Sequence, residues 1–248
     1  MEFKIGLAGR IISIRSIYQD VYDMCRDYLM DSGDPDISVD VLPADIEFER
    51  EKSFREAVYE RVVPVPYPEP YLETLAVYRK IASSMIEFDT FLMHGSVVGM
   101  KSDSDTAEAV LFAASSGVGK TTHMKLWLDE IPGTFVVNGD KPLVRFVNGR
   151  FEVCGTPWAG KEGLETNTIL PLKAICLLER GETDSIERIK FEENYPLLFQ
   201  QAYRPTDEKQ MIKTMELIKR LGSEVPLYCL RCTPDPSAAR VAYEGIFG

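Results

Sequence analysis

The feature that most constrains this chain is a run of small residues between an apolar strand and the start of a helix. Residues 109–113 are apolar and lead directly into the segment Ala114–Thr121, which reads ASSGVGKT and is called the 114–121 loop below. A glycine-containing loop that ends in Gly-Lys-Thr at the start of a helix is typical of sites that bind phosphate groups. The first position of such loops is usually glycine, and here it is Ala114. The pattern predicts a nucleotide phosphate site, and an ordinary tight turn is the alternative.

Each residue type in this loop has a physical role. Gly117 and Gly119 allow backbone torsions that direct successive amides at phosphate oxygens, and the positive end of the new helix adds to their attraction. Lys120 is expected to reach the terminal phosphates, and the Thr121 hydroxyl to ligate magnesium. The predicted nucleotide-binding residues are Ser115, Ser116, Gly117, Val118, Gly119, Lys120, Thr121 and Thr122.

A phosphate loop also needs a carboxylate on a neighbouring strand to hold the metal ion. Residues 135–142 read FVVNGDKP, which is an apolar strand that ends close to Asp140. The alternative is that Asn138–Asp140 forms only a turn. Thr121 and Asp140 are the predicted metal ligands.

Several segments follow one another in an order that resembles a known family. They are His94-Gly95, the 114–121 loop, residues 138–142 (NGDKP) and residues 151–155 (FEVCG). This succession resembles the catalytic domain of HPr serine kinase/phosphorylase, which is related to the phosphoenolpyruvate carboxykinases. Residues 155–161 (GTPWAGK) and 171–181 (PLKAICLLERG) resemble more closely the HPr-kinase-like proteins of bacterial peptide-modification clusters.

The resemblance implies an α/β fold in which a P-loop lies within a mixed sheet with flanking helices, preceded by a small αβ segment. It implies an ATP- and magnesium-dependent kinase that transfers a phosphoryl group to a hydroxyl of a peptide, a protein or a small metabolite. Lys120, Thr121 and Asp140 carry over as phosphate and metal residues, and His94 as a wall of the active site. The family also implies a homo-oligomer. A carboxykinase acting on oxaloacetate is a weaker alternative, because this chain is much shorter than those enzymes.

The chain departs from the family at the position of the catalytic base. Relatives have two adjacent aspartates, and the first is replaced here by Gly139, which has no side chain to accept a proton. Cys154 likewise stands where the kinases have an arginine. Asp140 takes both roles, or Glu152 substitutes, or the chain is a catalytically impaired nucleotide-binding module that recognises a peptide or a partner protein. If the site is a damaged kinase, restoring aspartate at position 139 is expected to raise transfer.

The segment Thr156–Lys161 combines a rigid proline, a large Trp158 and a flexible glycine. It is expected to close over the substrate, with Lys161 against an anionic group. Arg180 and Arg204 are weaker candidates for stabilising the transferring phosphoryl group. The only histidines, His94 and His123, have no ligand-spaced partners and do not predict a zinc site.

Charge and cysteine usage limit the class of partner and the compartment. The net charge of −11 argues against nucleic acid or an anionic membrane as partner. Residues 1–12 lack the basic region and following apolar run expected of a signal peptide, and no apolar stretch approaches the roughly 20 residues that span a bilayer. Five scattered cysteines make a poor disulfide framework, and the pair at Cys229 and Cys232 is expected to be buried thiols. A cytoplasmic location is predicted.

A proline-rich stretch, Val62–Pro70, is interpreted as a stiff connector rather than as a ligand for a proline-recognising module. The predicted organisation is an N-terminal αβ segment with this connector over residues 1–70, and the nucleotide-binding domain over residues 71–248. Tyr71–Phe88 is predicted to form a long helix, and Glu47–Lys52 a charged, solvated stretch.

Overall fold

The computed structural model describes residues 1–101, 107–115 and 117–248, and the chain divides into two compact units. The first unit comprises Met1–Ser84 and the second comprises Met85–Gly248. The predicted phosphate-loop residue Ser116 lies outside the described residues. In the described part, no helix is both long and apolar enough to cross a membrane.

The first unit contains a three-stranded sheet in the order β1-β2-β3. β1 (Glu2–Leu7) and β2 (Arg10–Arg15) form a hairpin along which apolar residues alternate, and β3 (Ile37–Asp40) pairs parallel to β2. The two-residue turn between β1 and β2 has positive φ at Ala8 and Gly9, as tight hairpins require.

Three helices complete the first unit: α1 (Gln19–Met24), α2 (Pro43–Glu60) and α3 (Glu69–Met85). The stretch Glu47–Lys52, predicted to be charged and solvated, lies within α2, where residues 47, 48, 50 and 51 are exposed but Glu49 is buried. The sequence of α2 shows no apolar periodicity at this point because the interior position is held by a carboxylate, Glu49, which forms an ion pair with Arg79 of α3.

α3 belongs to the first unit, so the boundary lies at residues 84 and 85 rather than at residue 70. The buried carboxylate of Glu73 accepts hydrogen bonds from the backbone N–H groups of Ile17 and Tyr18. The ammonium of Lys80 donates to the carbonyl of Asp40. These contacts hold α3 against the N-terminal strands. The proline-rich stretch therefore connects α2 to α3 within the first unit and does not link the two units.

The second unit is built on a curled mixed sheet, which among the described residues has nine strands. One path runs β4-β8-β9-β10-β6-β5-β7, and β12 adds to β10 with β11 beyond it. The strands are β4 (Thr90–Leu92), β5 (Ser96–Lys101), β6 (Ala107–Ala113), β7 (Thr134–Asn138), β8 (Leu143–Val147), β9 (Arg150–Cys154), β10 (Ile169–Arg180), β11 (Ser185–Arg188) and β12 (Leu227–Cys232).

Helices cover both faces of this sheet, as expected for an α/β fold. They are α4 (Lys120–Glu130), α5 (Phe191–Gln201), α6 (Glu208–Glu224) and α7 (Ser237–Phe247). Val97, Leu111 and Val137 of the sheet share a core with Leu198 of α5 and Ile218 of α6. On the opposite face, side chains of β5, β6 and β10 share a second core with α4 and α7.

The sheet topology places several loops at one edge. β5 is antiparallel to both β6 and β7, so β6 and β7 run in the same direction. The 114–121 loop after β6, the residues after β7 and the residues before β5 therefore lie at the same edge of the sheet.

Candidate functional site

The 114–121 loop joins buried β6 to α4 as the sequence predicts. Gly117 has φ of 78° and Gly119 has φ of 121°, conformations that side chains rarely adopt. A Cβ at Gly117 would have no neighbour within 4 Å, so glycine is needed there for its torsions and not for space. Ser115 and Gly117 are exposed, and Val118 packs against the core on the α4 face.

α4 starts at Lys120 with no side chain capping its N-terminus and no acidic residue in its first turn. The first backbone N–H groups of such a helix attract anions. The Lys120 ammonium folds back to 3.1 Å from the carbonyl oxygen of Ala114. Burial lowers the pKa of Lys120, and the negative charge of Asp140 partly opposes this effect. Thr121 is half-buried and Thr122 exposed on the same turn.

Asp140 lies just beyond β7 and contacts a histidine and a lysine. Its Oδ1 is 3.1 Å from Nε2 of His94, which lies two residues before β5, and its Oδ2 pairs with the ammonium of Lys141. Burial would raise the pKa of Asp140, but the His94 hydrogen bond and the Lys141 charge outweigh burial and lower the pKa to about 2. The carboxylate is therefore ionised near neutral pH.

A buried asparagine holds the backbone of this region. Oδ1 of Asn138 accepts hydrogen bonds from the N–H groups of Asp140 and Lys141, at 2.9 and 2.6 Å. Its Nδ2 donates to the carbonyl and the hydroxyl oxygens of Thr156. The Asn138–Asp140 segment is thus a turn and also presents a carboxylate, so the two interpretations of its sequence are compatible.

The segment Gly155–Leu164, called the 155–164 loop below, packs against this turn. Residues 155–159 are buried, and Trp158 is only 7% exposed. The expectation that Trp158 closes over a substrate does not agree with this packing, because the indole is enclosed by the protein itself. The exposed part of the loop starts at Gly160 and includes Lys161. Glu162 pairs with Lys125 of α4 at 2.8 Å.

Two glycines allow the 155–164 loop to approach Asp140 closely. A Cβ at Gly139 would lie 2.7 Å from the carbonyl oxygen of Ala159, and a Cβ at Gly160 would lie 2.9 Å from Cβ of Asp140. An aspartate side chain therefore does not fit at position 139 unless the loop moves. The structure thus contradicts the expectation that Gly139→Asp restores a damaged site. Glycine here is part of how the loop packs.

Glu152, the predicted substitute base, is engaged elsewhere. Glu152 lies on β9, and each of its carboxylate oxygens accepts two hydrogen bonds from one guanidinium. Arg145 donates to one oxygen and Arg150 to the other. Burial would raise the pKa of Glu152, but the hydrogen bonds from the two arginines lower it. An ionised carboxylate with two cationic partners is a poor proton acceptor.

Two further residues that the sequence singled out, Cys154 and His123, are buried in the core. Burial raises the pKa of the Cys154 thiol to about 12, so this cysteine is inert. His123 is buried on α4, where its Nε2 accepts a hydrogen bond from the indole of Trp127 at 3.0 Å. Burial lowers the pKa of His123 to about 4, against the opposing charge of Asp184. The described residues contain no group of three or more His, Cys, Asp or Glu side chains placed to hold a metal ion.

Two cationic side chains lie near the site although the sequence contains little indication of it. Arg180 was only a weak candidate, and Lys141 was not a candidate at all. The guanidinium of Arg180, at the end of β10, lies 2.6 Å from the carbonyl oxygen of Gly117, although its sequence context is that of a surface residue. Lys141 binds Asp140, and its position directly after the carboxylate was the available signal. Both side chains add positive charge near the 114–121 loop in a chain whose net charge is −11.

Comparison with known proteins gives distant structural similarity. The chain matches no protein-family model and no curated protein. It is similar to the solved structure of the Hpr(Ser) kinase/phosphatase from Coxiella burnetii, with a TM-score of 0.39 and 12% sequence identity. The similarity covers 62% of this chain and 89% of that one. The likeness is too weak to say what this chain binds.

Proposed function

We propose that the protein is an ATP- and magnesium-dependent kinase that transfers a phosphoryl group to a hydroxyl of a peptide, a protein or a small metabolite. The observation that carries the proposal is the junction of the 114–121 loop with α4, where glycine torsions, an uncapped helix N-terminus and Lys120 converge. Each of these features attracts phosphate, and Asp140 acts electrostatically on Lys120.

The residues present fit a magnesium nucleotide. Thr121 offers a hydroxyl and Asp140 an ionised carboxylate, which are the oxygen donors that magnesium prefers. In the described arrangement Lys141 occupies one oxygen of Asp140, and a bound cation would replace that contact. Bound nucleotide supplies the phosphoryl group, and bound magnesium neutralises its charge.

The remaining roles belong to groups of the chain. Lys120 and the amides of residues 117–119 hold phosphate oxygens, and Arg180 adds a guanidinium beside the loop. The low pKa of Asp140 favours a charge-neutralising role over a strongly basic one. The half-exposed His94, which bonds to Asp140, is a nearby imidazole, and histidine is the side chain that most often transfers protons in enzymes. Lys161 is exposed and contributes positive charge for an anionic acceptor.

The alternative is a nucleotide-binding module with little transfer activity, which recognises a peptide or a partner protein. The packing of Gly139 against Ala159 favours this alternative, because it leaves no space for a second carboxylate beside Asp140.

Calorimetric titration of magnesium-ATP into the protein and into Lys120→Ala tests the proposal. Lys219→Ala on α6, exposed and on a different helix, is the matched control. We expect Lys120→Ala to abolish binding and Lys219→Ala to preserve it. ADP release in the same samples, with and without candidate hydroxyl acceptors, separates a kinase from a silent binder. Absence of binding by the unmodified protein at millimolar nucleotide would overturn the proposal.

A further inference from the structure

Exposed apolar side chains are concentrated in one part of the first unit. Between residues 42 and 71, ten large apolar side chains have exposed fractions from 40% to 90%. They are Leu42, Phe48, Phe54, Val58, Tyr59, Val62, Val63, Val65, Tyr67 and Tyr71. Extensive exposed apolar surface is a mark of protein–protein contact.

The middle of this region is the part of the proline-rich stretch that precedes α3, Val62–Pro68, and the word connector refers below to these residues alone. Proline stands at positions 64, 66 and 68, and each proline has a fixed φ near −65°. Each residue between them precedes a proline, which confines it to extended conformations. No hydrogen-bonded helix or strand is formed by the connector. Its covalent chemistry alone therefore keeps it extended.

The proline spacing makes the two edges of the connector different. In an extended strand, the N–H and C=O of one residue point to the same edge, and those of the next residue point to the opposite edge. All three prolines lie on one edge, which has no donors. The other edge presents the N–H and C=O of Val63, Val65 and Tyr67, and within the described residues these N–H groups have no hydrogen-bond partner. The connector can thus pair on one side only.

We propose that two copies of this chain associate through the connector, paired antiparallel about a two-fold axis at Val65. In this register Val65 faces its own counterpart, and Val63 of each copy faces Tyr67 of the other. Each of these pairs exchanges two backbone hydrogen bonds, while every proline falls where no donor is required. The edge is complementary to itself, which is the condition for a two-fold interface.

Side chains and charges favour a second copy as the occupant. Val63, Val65 and Tyr67 project from one face, and the ring of Tyr67 packs against Tyr71 with centroids 4.9 Å apart. The connector has no charged residue, so two copies of a chain of net charge −11 can approach here without local repulsion.

Sedimentation velocity over a concentration series tests this proposal with two matched variants. Val65→Pro removes the central donor from the pairing edge, and Pro66→Ala changes only the opposite edge. Both positions are exposed, so neither change disturbs the interior. We expect a dimer with a micromolar dissociation constant, weakened at least about tenfold by Val65→Pro and retained in Pro66→Ala. A protein that stays monomeric at about 100 µM, or a dimer unaffected by Val65→Pro, overturns the proposal and leaves the edge to a strand of another protein.

Cysteine cross-linking tests the register separately. Val65→Cys places two thiols across the two-fold axis, at a spacing that a disulfide can bridge. Val63→Cys places them four residues apart along the strands, about 13 Å, which a disulfide cannot bridge. We expect oxidation to cross-link Val65→Cys and not Val63→Cys, with Cys232 equally present in both. Equal cross-linking of the two variants excludes the proposed register. Neither experiment depends on the nucleotide site.

Discussion

At the residue scale, the neighbours of each polar group determine what that group can do in the candidate site. Asp140 stays ionised beside His94 and Lys141, whereas Glu152 is bound by two arginines and Trp158 is enclosed. Lys120 and Asp140 are recognisable from the 114–121 loop and from the strand that precedes the carboxylate. The surroundings of Glu152 and Trp158 depend on strand pairing, which the local pattern of residues does not contain.

Gly139→Asp is expected to lower both stability and phosphoryl transfer. Its Cβ would lie 2.7 Å from the carbonyl oxygen of Ala159, and forcing atoms into packed protein costs about 2 kcal/mol. Urea denaturation and ADP release measure the two effects. Gly149→Asn is the control, since a Cβ there meets nothing within 4 Å and asparagine tolerates the positive φ. A faster ADP release by Gly139→Asp would contradict this prediction. It would show that the 155–164 loop moves to accommodate the side chain and that the missing base limits the reaction.

His123 is expected to make the protein less stable in mild acid. Its folded pKa of about 4 lies below the 6.5 of a histidine in an unfolded chain, so the unfolded chain binds the proton first as pH falls between these values. This group therefore removes about 2 kcal/mol of stability between pH 7 and pH 5. His123→Gln should abolish this part of the change in the urea midpoint followed by circular dichroism. His94→Gln, which alters the only other histidine, should preserve it, and equal effects of the two variants would refute the assignment.

At the element scale, apolar periodicity predicted most of the second unit. Apolar runs in the sequence coincide with β6, β7, β12 and the hairpin of β8 and β9, and apolar residues at helical spacing coincide with α4, α5, α6 and α7, with bounds that differ by a few residues. α2 was missed because Glu49 occupies an interior position. β11 was missed because it is a short, mostly exposed strand that pairs only with β12. Patterns fail where charge replaces apolar burial or where an edge strand buries little.

Asn138→Ala is expected to loosen the junction between β7 and the 155–164 loop. The change leaves the N–H groups of Asp140 and Lys141 and the oxygens of Thr156 without their buried partner, at a cost of about 2–3 kcal/mol. Nucleotide binding should weaken as well, because Asp140 loses its backbone anchor. Chemical denaturation and calorimetry measure the two quantities. The control is Asn194→Ala, whose side chain makes one exposed hydrogen bond to Lys190, and a comparable loss in both variants would contradict the anchoring role.

At the scale of the whole molecule, the chain consists of two units, each with its own sheet. The sequence indicated two parts but divided them at the prolines, which are usually taken as linkers. The error has a physical cause, because α3 returns to the N-terminal strands through long-range polar contacts of Glu73 and Lys80. Such contacts join residues more than fifty and about forty positions apart in sequence.

A fragment of residues 1–84 is therefore expected to fold, whereas a fragment of residues 1–70 is not. The shorter fragment lacks α3, so the interior of the unit opens and Glu49 loses Arg79. Thermal unfolding followed by circular dichroism should give a cooperative transition for the longer fragment only. Cooperative unfolding of both fragments would restore the boundary at residue 70.

Trp127 lies about two helical turns after Lys120, fully buried and bonded through its indole N–H to His123. The rings of Phe112, Tyr243 and Phe247 surround it at centroid distances of 5.4 to 6.4 Å. The only other tryptophan, Trp158, lies in the loop that covers Gly139. The protein thus has intrinsic fluorophores on two segments that adjoin Lys120 and Asp140. Movement of either segment alters their emission, so ligand arrival can be followed in real time without a dye or a label.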